Sequence, residues 1–114
     1  MRRFLAAASL AAFAAPAAAH DWYDGWCCSG KDCAPAAEGA VRIGSDGYHI
    51  TVRPGEHPMV PDSADPLELH APFRSADEFG TQVMPSRDAR FHICLVPHSF
   101  GGIEFRCFYV PLGS

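Results

Sequence analysis

Residues 91–110 have the sequence FHICLVPHSFGGIEFRCFYV, which consists of two apolar runs on either side of a glycine pair. The runs Phe91–Val96 and Glu104–Val110 are rich in the β-branched and aromatic side chains that favour strands. We therefore predict a C-terminal β-hairpin. Because successive strand residues point to opposite faces, Ile93 and Cys94 belong to different sides of the hairpin, and both sides are largely apolar. We expect both faces to be covered.

The positions of the cysteines suggest which disulfide bonds stabilise this hairpin. The chain has five cysteines, at Cys27, Cys28, Cys33, Cys94 and Cys107. A hairpin that closes near residues 100–101 places Cys94 opposite Cys107, with Cβ atoms about 4.5–5.5 Å apart, close to disulfide range. We predict a Cys94–Cys107 disulfide and a second one between Cys33 and either Cys27 or Cys28. Pairing of Cys94 with the N-terminal cysteines is the alternative, and an odd cysteine remains in either case.

A second hairpin is predicted upstream. Val41–Ile43 is followed by Ser45-Asp46-Gly47 and then by Tyr48–Arg53, in which apolar and polar residues alternate. Asp-Gly is a favoured turn sequence between two strands, and the alternation has the period of a strand.

The segment between the two hairpins is rich in proline. Pro54, Pro58, Pro61, Pro66 and Pro72 exclude a helix and a central strand over residues 54–73, so we predict a long connection there. Ser75–Glu78 has the form of a capping box that begins a helical turn. Thr81–Met84 is predicted to be a short strand.

The N-terminal residues indicate export. Arg2 and Arg3 precede an apolar run of about a dozen residues, and small residues follow at Ala17 and Ala19. This is the pattern of a signal peptide, and a membrane-spanning helix would need roughly 20 apolar residues. We predict a signal peptide at 1–19 and a single small β domain at 20–114, located in the periplasm or secreted and not spanning the membrane after cleavage.

The net charge of the mature chain limits the classes of partner that it can bind. Cleavage of the leader removes Arg2 and Arg3, which changes the formal net charge of the chain from −4 to −6. Such a surface repels nucleic-acid phosphates, so nucleic acid is excluded as a partner class. An envelope protein or a small ligand is the expected partner.

Several short motifs resemble those of a family of small exported alphaproteobacterial proteins. They are His20-Asp21-Trp22-Tyr23, Cys27-Cys28, Asp32-Cys33, His92-Ile93-Cys94 and Cys107-Phe108-Tyr109-Val110-Pro111. The resemblance spans most of the mature chain. It implies export and the cysteine framework, and it implies no particular chemistry.

Metal binding is one candidate chemistry. Cleavage after Ala19 would leave His20 as the N-terminal residue, and its α-amine and imidazole together form a chelate that suits Cu(II). A second histidine would complete such a site, with His92 as one candidate. The other possible partners are His49, His57, His70 and His98. The alternative is that His20 is only the residue left by the signal peptidase.

Other candidate sites have simpler structural explanations. The cysteines lack the Cys-x-x-Cys spacing of thiol oxidoreductases, and export favours their oxidation over zinc binding. Trp22, Tyr23 and Trp26 could form a ligand platform, but aromatic residues near a disulfide usually pack over it. The acidic and histidine residues of loop 54–73 match no calcium-binding loop.

Together these observations predict a mainly β, disulfide-stapled single domain with two hairpins and a long Pro-rich loop. We predict no enzymatic activity and an exported binding or interaction module of the cell envelope. The alternative is a periplasmic copper-binding protein that uses His20.

Overall fold

The computed structural model describes residues 22–28, 32–75, 80–98 and 100–112. Seven β-strands run through these residues, which include no helix. The strands are β1 (Cys33–Pro35), β2 (Val41–Gly44), β3 (Gly47–Val52), β4 (Leu67–Ala71), β5 (Gln82–Pro85), β6 (His92–Pro97) and β7 (Ile103–Val110). The predicted mainly β fold is confirmed. No helix in the described ranges is long and apolar enough to cross a membrane.

Strands β6 and β7 form the predicted C-terminal hairpin. They pair antiparallel, and Cys94 lies opposite Cys107 as the sequence predicts. The register shifts between Cys94 and Leu95, so the hairpin contains an irregularity beside its cysteine pair. At the hairpin tip Gly101 and Gly102 have φ angles of +99° and +83°, which side chains disfavour and glycine tolerates.

This hairpin is the centre of a four-stranded sheet with the order β1-β6-β7-β5. β1 pairs antiparallel with β6, and β5 pairs parallel with β7. The short strand predicted at Thr81–Met84 is confirmed with bounds one residue later. Thr81 donates its hydroxyl proton to the carbonyl oxygen of Phe105 at 2.8 Å and so attaches the start of β5 to β7.

A three-stranded sheet with the order β2-β3-β4 contains the second predicted hairpin. Val41 pairs with Ile50, and residues 45–46 connect the two strands. Gly47 follows with a φ of +132°, and a Cβ atom there would collide with the carbonyl oxygen of Ala71. Glycine is therefore required at this close approach of β3 to β4.

The prediction of an irregular connection over all of residues 54–73 is wrong in its last part. Leu67–Ala71 forms β4, which pairs antiparallel with β3 along its whole length. β4 is an edge strand, and Pro66 and Pro72 flank it. Both prolines lie outside the strand, so neither removes a hydrogen bond of the β3–β4 ladder.

One face of the four-stranded sheet packs against the three-stranded sheet. The buried residues of this core come from both sheets, including Ile50 and Val52 of β3 and Ile93, Leu95 and Phe108 of β6 and β7. Phe108 is fully buried, with its ring 5.2 Å from that of Tyr48 across the two sheets.

The opposite face of the four-stranded sheet is covered by the N-terminal arm, residues 22–28. Trp22, Tyr23 and Cys28 pack on a buried cluster of Tyr109 and the disulfide-bonded cysteines. Five successive residues of β6 are buried, so both faces of the hairpin are covered, as predicted. Trp26 departs from the expected covering role, because it is 54% exposed with the Arg106 guanidinium 5.1 Å from its ring centre.

The disulfides differ from the predicted pairs. The bonds are Cys27–Cys107 and Cys33–Cys94, so the predicted Cys94–Cys107 bond and the predicted bond from Cys33 to Cys27 or Cys28 are both wrong. The alternative, in which Cys94 pairs with an N-terminal cysteine, is confirmed. Cys28 belongs to neither of the two bonds.

The reason lies in the strand order. Cys94 is on a central strand, with Cys107 opposite it on β7 and Cys33 opposite it on β1. Cys94 bonds to Cys33, with Cα atoms 4.0 Å apart, and Cys107 bonds to Cys27 of the arm. Both bonds therefore tie the N-terminal region to the last hairpin.

Some predictions lie outside the described residues. These are the signal peptide at 1–19, the N-terminal residue His20 and most of the helical turn predicted at 75–78.

Candidate metal centre

Asp46, His49 and His70 form a cluster on the outer face of the three-stranded sheet. Asp46 lies in the β2–β3 turn, His49 is on β3, and His70 is the residue directly opposite His49 on β4. In β3, residues 48, 50 and 52 are buried and residues 49 and 51 are not. The alternation of the strand therefore turns both imidazoles away from the core and towards each other.

The ligand atoms of these side chains converge. Nε2 of His49 lies 2.8 Å from Oδ1 of Asp46, and Nε2 of His70 lies 3.5 Å from Oδ2 of the same carboxylate. Nε2 of His70 also lies 3.1 Å from the Asp46 carbonyl oxygen. One nitrogen or oxygen from each residue falls within 4.8 Å of the others. A single ion can therefore contact all three residues with small side-chain movements.

The Asp46 carboxylate supplies the negative charge of this cluster. The hydrogen bond from His49, together with the charges of His49 and His70, lowers the pKa of Asp46 below its ordinary value. The carboxylate is therefore ionised at neutral pH and available as a ligand. Two imidazoles and one carboxylate are donors that zinc, copper, nickel and iron accept in proteins.

Gly44 leaves room beside the ligand atoms. A Cβ atom at this position would lie 3.1 Å from Cδ2 of His49, 3.2 Å from Nε2 of His49 and 3.2 Å from Oδ1 of Asp46. The φ of Gly44 is outside the left-handed region, so the backbone does not demand glycine there. A larger residue at position 44 would press on the carboxylate and imidazole that hold the ion.

The site is open to solvent. The side chains of His49, His70 and Asp46 are 41%, 46% and 65% exposed. An ion held by these three ligands keeps coordination positions for water or an exchanging ligand.

His92, the second predicted metal ligand, lies in a different environment. It is fully buried on β6, and Nδ1 is 2.7 Å from the Tyr23 hydroxyl while Nε2 is 2.8 Å from Oδ1 of Asp88. Both ring nitrogens are thus engaged in hydrogen bonds. Within the described residues, His92 is not among the side chains that converge on a possible ion.

His57 and His98, the other two histidines considered as partners of His20, make hydrogen bonds elsewhere in the fold. His57 is buried, with Nε2 2.9 Å from the Ile93 carbonyl oxygen, and it attaches the Pro-rich loop to β6. His98 lies at the hairpin tip, where its Nδ1 accepts a hydrogen bond from the Phe100 amide at 3.2 Å. Neither histidine contributes to the cluster.

The sequence contained part of the signal for this site. His49 and His70 are both among the histidines that the sequence suggests as partners of His20, and Asp46 is recognised as a turn residue. Their convergence is not visible in the sequence, because it depends on β4 pairing with β3. The alternation of residues 48–52 does predict that His49 faces outward beside the Asp46 turn.

Comparisons with protein-family models, with curated proteins and with solved structures found no match to this chain.

Proposed function

We propose that this protein is an exported, non-catalytic binding module of the cell envelope whose ligand is a divalent transition-metal ion. The observation that carries the proposal is the convergence of ligand atoms from Asp46, His49 and His70 within 4.8 Å of one another. These residues come from a turn and two adjacent strands of one sheet, so the backbone holds them in place before the ion arrives.

The setting is consistent with an exported protein. The N-terminal sequence favours export, and the two disulfides are typical of proteins in oxidising compartments. The formal charge of −6 after loss of the leader arginines attracts cations to the whole molecule. We infer a periplasmic or secreted protein that binds its ligand rather than transforms it.

The donor set indicates which ions to test. Imidazole nitrogens with a carboxylate and no thiolate suit Cu(II), Zn(II) and Ni(II), and Cu(II) binds most tightly to such sites in the general order of affinities. Copper therefore remains the first candidate, at a site different from the predicted chelate at His20. Copper binding by His20 is a separate hypothesis that concerns residues outside the described ranges.

Titration calorimetry of the mature protein with Cu(II) and Zn(II) tests the proposal. We expect one ion per chain, and we expect His70→Asn to weaken binding by at least about tenfold, or about 1.4 kcal/mol. His98→Asn is the matched control, because it removes an exposed histidine from another part of the fold. It should leave the affinity unchanged.

Two further variants make the test specific. Gly44→Ala keeps every ligand and should still weaken binding, because the added methyl group presses on His49 and Asp46. His20→Ala should leave this site intact. Equal affinity in the wild type, His70→Asn and Gly44→Ala would refute the proposed site, and loss of binding in His20→Ala alone would assign the ion to the N-terminus.

A further inference from the structure

A partly buried hydrogen-bonded relay connects Tyr23, the fully buried His92 and the partly exposed Asp88 beside the face of the four-stranded sheet that the arm covers. The Tyr23 hydroxyl lies 2.7 Å from Nδ1 of His92, and Nε2 of His92 lies 2.8 Å from Oδ1 of Asp88. The three residues come from the arm, from β6 and from the turn before β6. The fold therefore assembles the relay from segments far apart in the chain.

The hydrogen-bond partners of His92 indicate which of its ring nitrogens carries a proton. Burial opposes ionisation of Asp88, but hydrogen bonds from His92, the Arg90 amide and the Ser86 hydroxyl outweigh it and lower the pKa of Asp88. A carboxylate at this position accepts, so Nε2 of His92 carries the proton. In the neutral ring Nδ1 is then the unprotonated nitrogen, and the Tyr23 hydroxyl, 2.7 Å away, can donate to it.

The phenol is held in its protonated form at neutral pH. Burial, with smaller contributions from Cys28 and Asp88, raises the pKa of Tyr23 to about 12. A protonated phenol loses an electron readily only when its proton can leave at the same time. His92 supplies an acceptor for that proton at hydrogen-bond distance.

We propose that Tyr23 is a redox-active tyrosine that gives one electron to a small inorganic radical while its phenolic proton moves to Nδ1 of His92. The O–H bond of Tyr23 breaks, an N–H bond forms on His92, and the radical is reduced to its anion. The products are a neutral tyrosyl radical and an imidazolium ion. Asp88 is a positioning residue, because its negative charge faces that imidazolium and fixes the tautomer that accepts the proton.

Neighbouring aromatic rings support this assignment. The Trp22 ring centre is 4.7 Å from that of Tyr23 and 4.8 Å from that of His92. An electron vacancy formed on the indole can therefore pass to Tyr23 over van der Waals distance. Trp22 and Tyr23 belong to the layer that packs over both disulfides.

Tyr109 provides an internal comparison. Its ring centre is 5.6 Å from that of Tyr23, and burial likewise raises its pKa to about 12. Its hydroxyl donates to Oδ2 of Asp24 at 3.2 Å and accepts a hydrogen bond from the Asp24 amide at 3.1 Å. A carboxylate is a weaker base than imidazole, with an ordinary pKa of about 3.9 against about 6.5. We therefore expect the radical on Tyr23 and not on Tyr109.

Pulse radiolysis with the azide radical tests the proposal on the mature, disulfide-bonded protein with a metal chelator present. The azide radical oxidises indoles, so the tryptophanyl absorbance should decay as the tyrosyl absorbance rises. We expect Tyr23→Phe to lose most of the tyrosyl signal and Tyr109→Phe to keep it. Solvent D2O should slow the rise, because a proton moves with the electron.

Asp88→Asn tests the relay beyond the phenol itself. It removes the charge that faces the imidazolium, and we expect the tyrosyl signal to rise several-fold more slowly. An unchanged rate in this variant would overturn the role assigned to Asp88. A tyrosyl signal that survives in Tyr23→Phe, or that disappears in Tyr109→Phe, would overturn the proposal. Melting curves and disulfide maps of all variants establish that the fold is retained.

Discussion

His57 shows how a polar side chain is accommodated inside this small core. Its Nε2–H donates to the Ile93 carbonyl oxygen at 2.9 Å, and its Nδ1 accepts from the Met59 amide at 3.1 Å. These two partners require the neutral ring. Desolvation lowers the pKa of His57, and the opposing effects of Ile93 and Asp32 do not cancel it.

This lowered pKa makes stability depend on pH. The unfolded histidine binds a proton near pH 6.5, and the folded one binds it only at a lower pH. Between these two pKa values the unfolded chain holds more protons, so stability should fall as pH decreases through this window. The slope from this residue should reach at most about 1.4 kcal/mol per pH unit. Urea unfolding at neutral and mildly acidic pH measures it.

The matched variants are His57→Gln and His98→Gln. The first removes the titrating group while its amide can still donate to Ile93, so part of the acid sensitivity should disappear. The second changes an exposed histidine and should keep the full slope. The same slope in wild type and His57→Gln would contradict the assignment.

Two disulfides join the N-terminal region to the last hairpin, one from the arm and one from β1. Their partners are 80 residues apart in Cys27–Cys107 and 61 apart in Cys33–Cys94. The hairpin disulfide expected from the sequence would have closed a far shorter loop. In the chain-entropy account, longer loops restrict the unfolded chain more, and loops of these lengths correspond to about 4 kcal/mol each.

We therefore expect the double variant Cys27→Ala/Cys107→Ala to lose about 2–4 kcal/mol, which lowers Tm by roughly 10–30 °C in a domain of this size. The Cys33→Ala/Cys94→Ala variant should lose a similar amount. Differential scanning calorimetry measures both, and peptide mapping without reduction identifies the bonds. A peptide linking Cys94 to Cys107 would contradict this structure.

The two sheets share one core and should unfold together. Phe108 of β7 is fully buried, and its ring lies 5.2 Å from Tyr48 of the other sheet, 5.5 Å from Phe91 and 5.8 Å from Phe105. Removing this ring leaves a cavity where the sheets meet.

Phe108→Ala should cost about 3–5 kcal/mol, as is typical for a large buried aromatic residue. Phe100→Ala is the control, because Phe100 is 92% exposed and its loss should change stability by less than about 0.5 kcal/mol. Far-UV circular dichroism and aromatic fluorescence, followed together during unfolding, should give one coincident transition. Two separate transitions would show that the sheets are independent.

The local pattern of the sequence determined the two hairpins and the faces of their strands. Alternation over residues 48–52 placed Ile50 inwards and His49 outwards, and the apolar run at 91–96 indicated a strand covered on both faces. The position of Cys94 opposite Cys107 also follows from the turn between them. These features depend on neighbours within a few residues or across one short turn, so they can be read from the chain.

Which strands lie side by side depends on contacts between distant parts of the chain. Cys94 has a cysteine opposite it on each neighbouring strand, and its partner is Cys33 because β1 packs on the free edge of the hairpin. His70 meets His49 because β4 returns to pair with β3. Such contacts join residues far apart in sequence, and their stability comes from burying both sheets in one core, which no local pattern encodes.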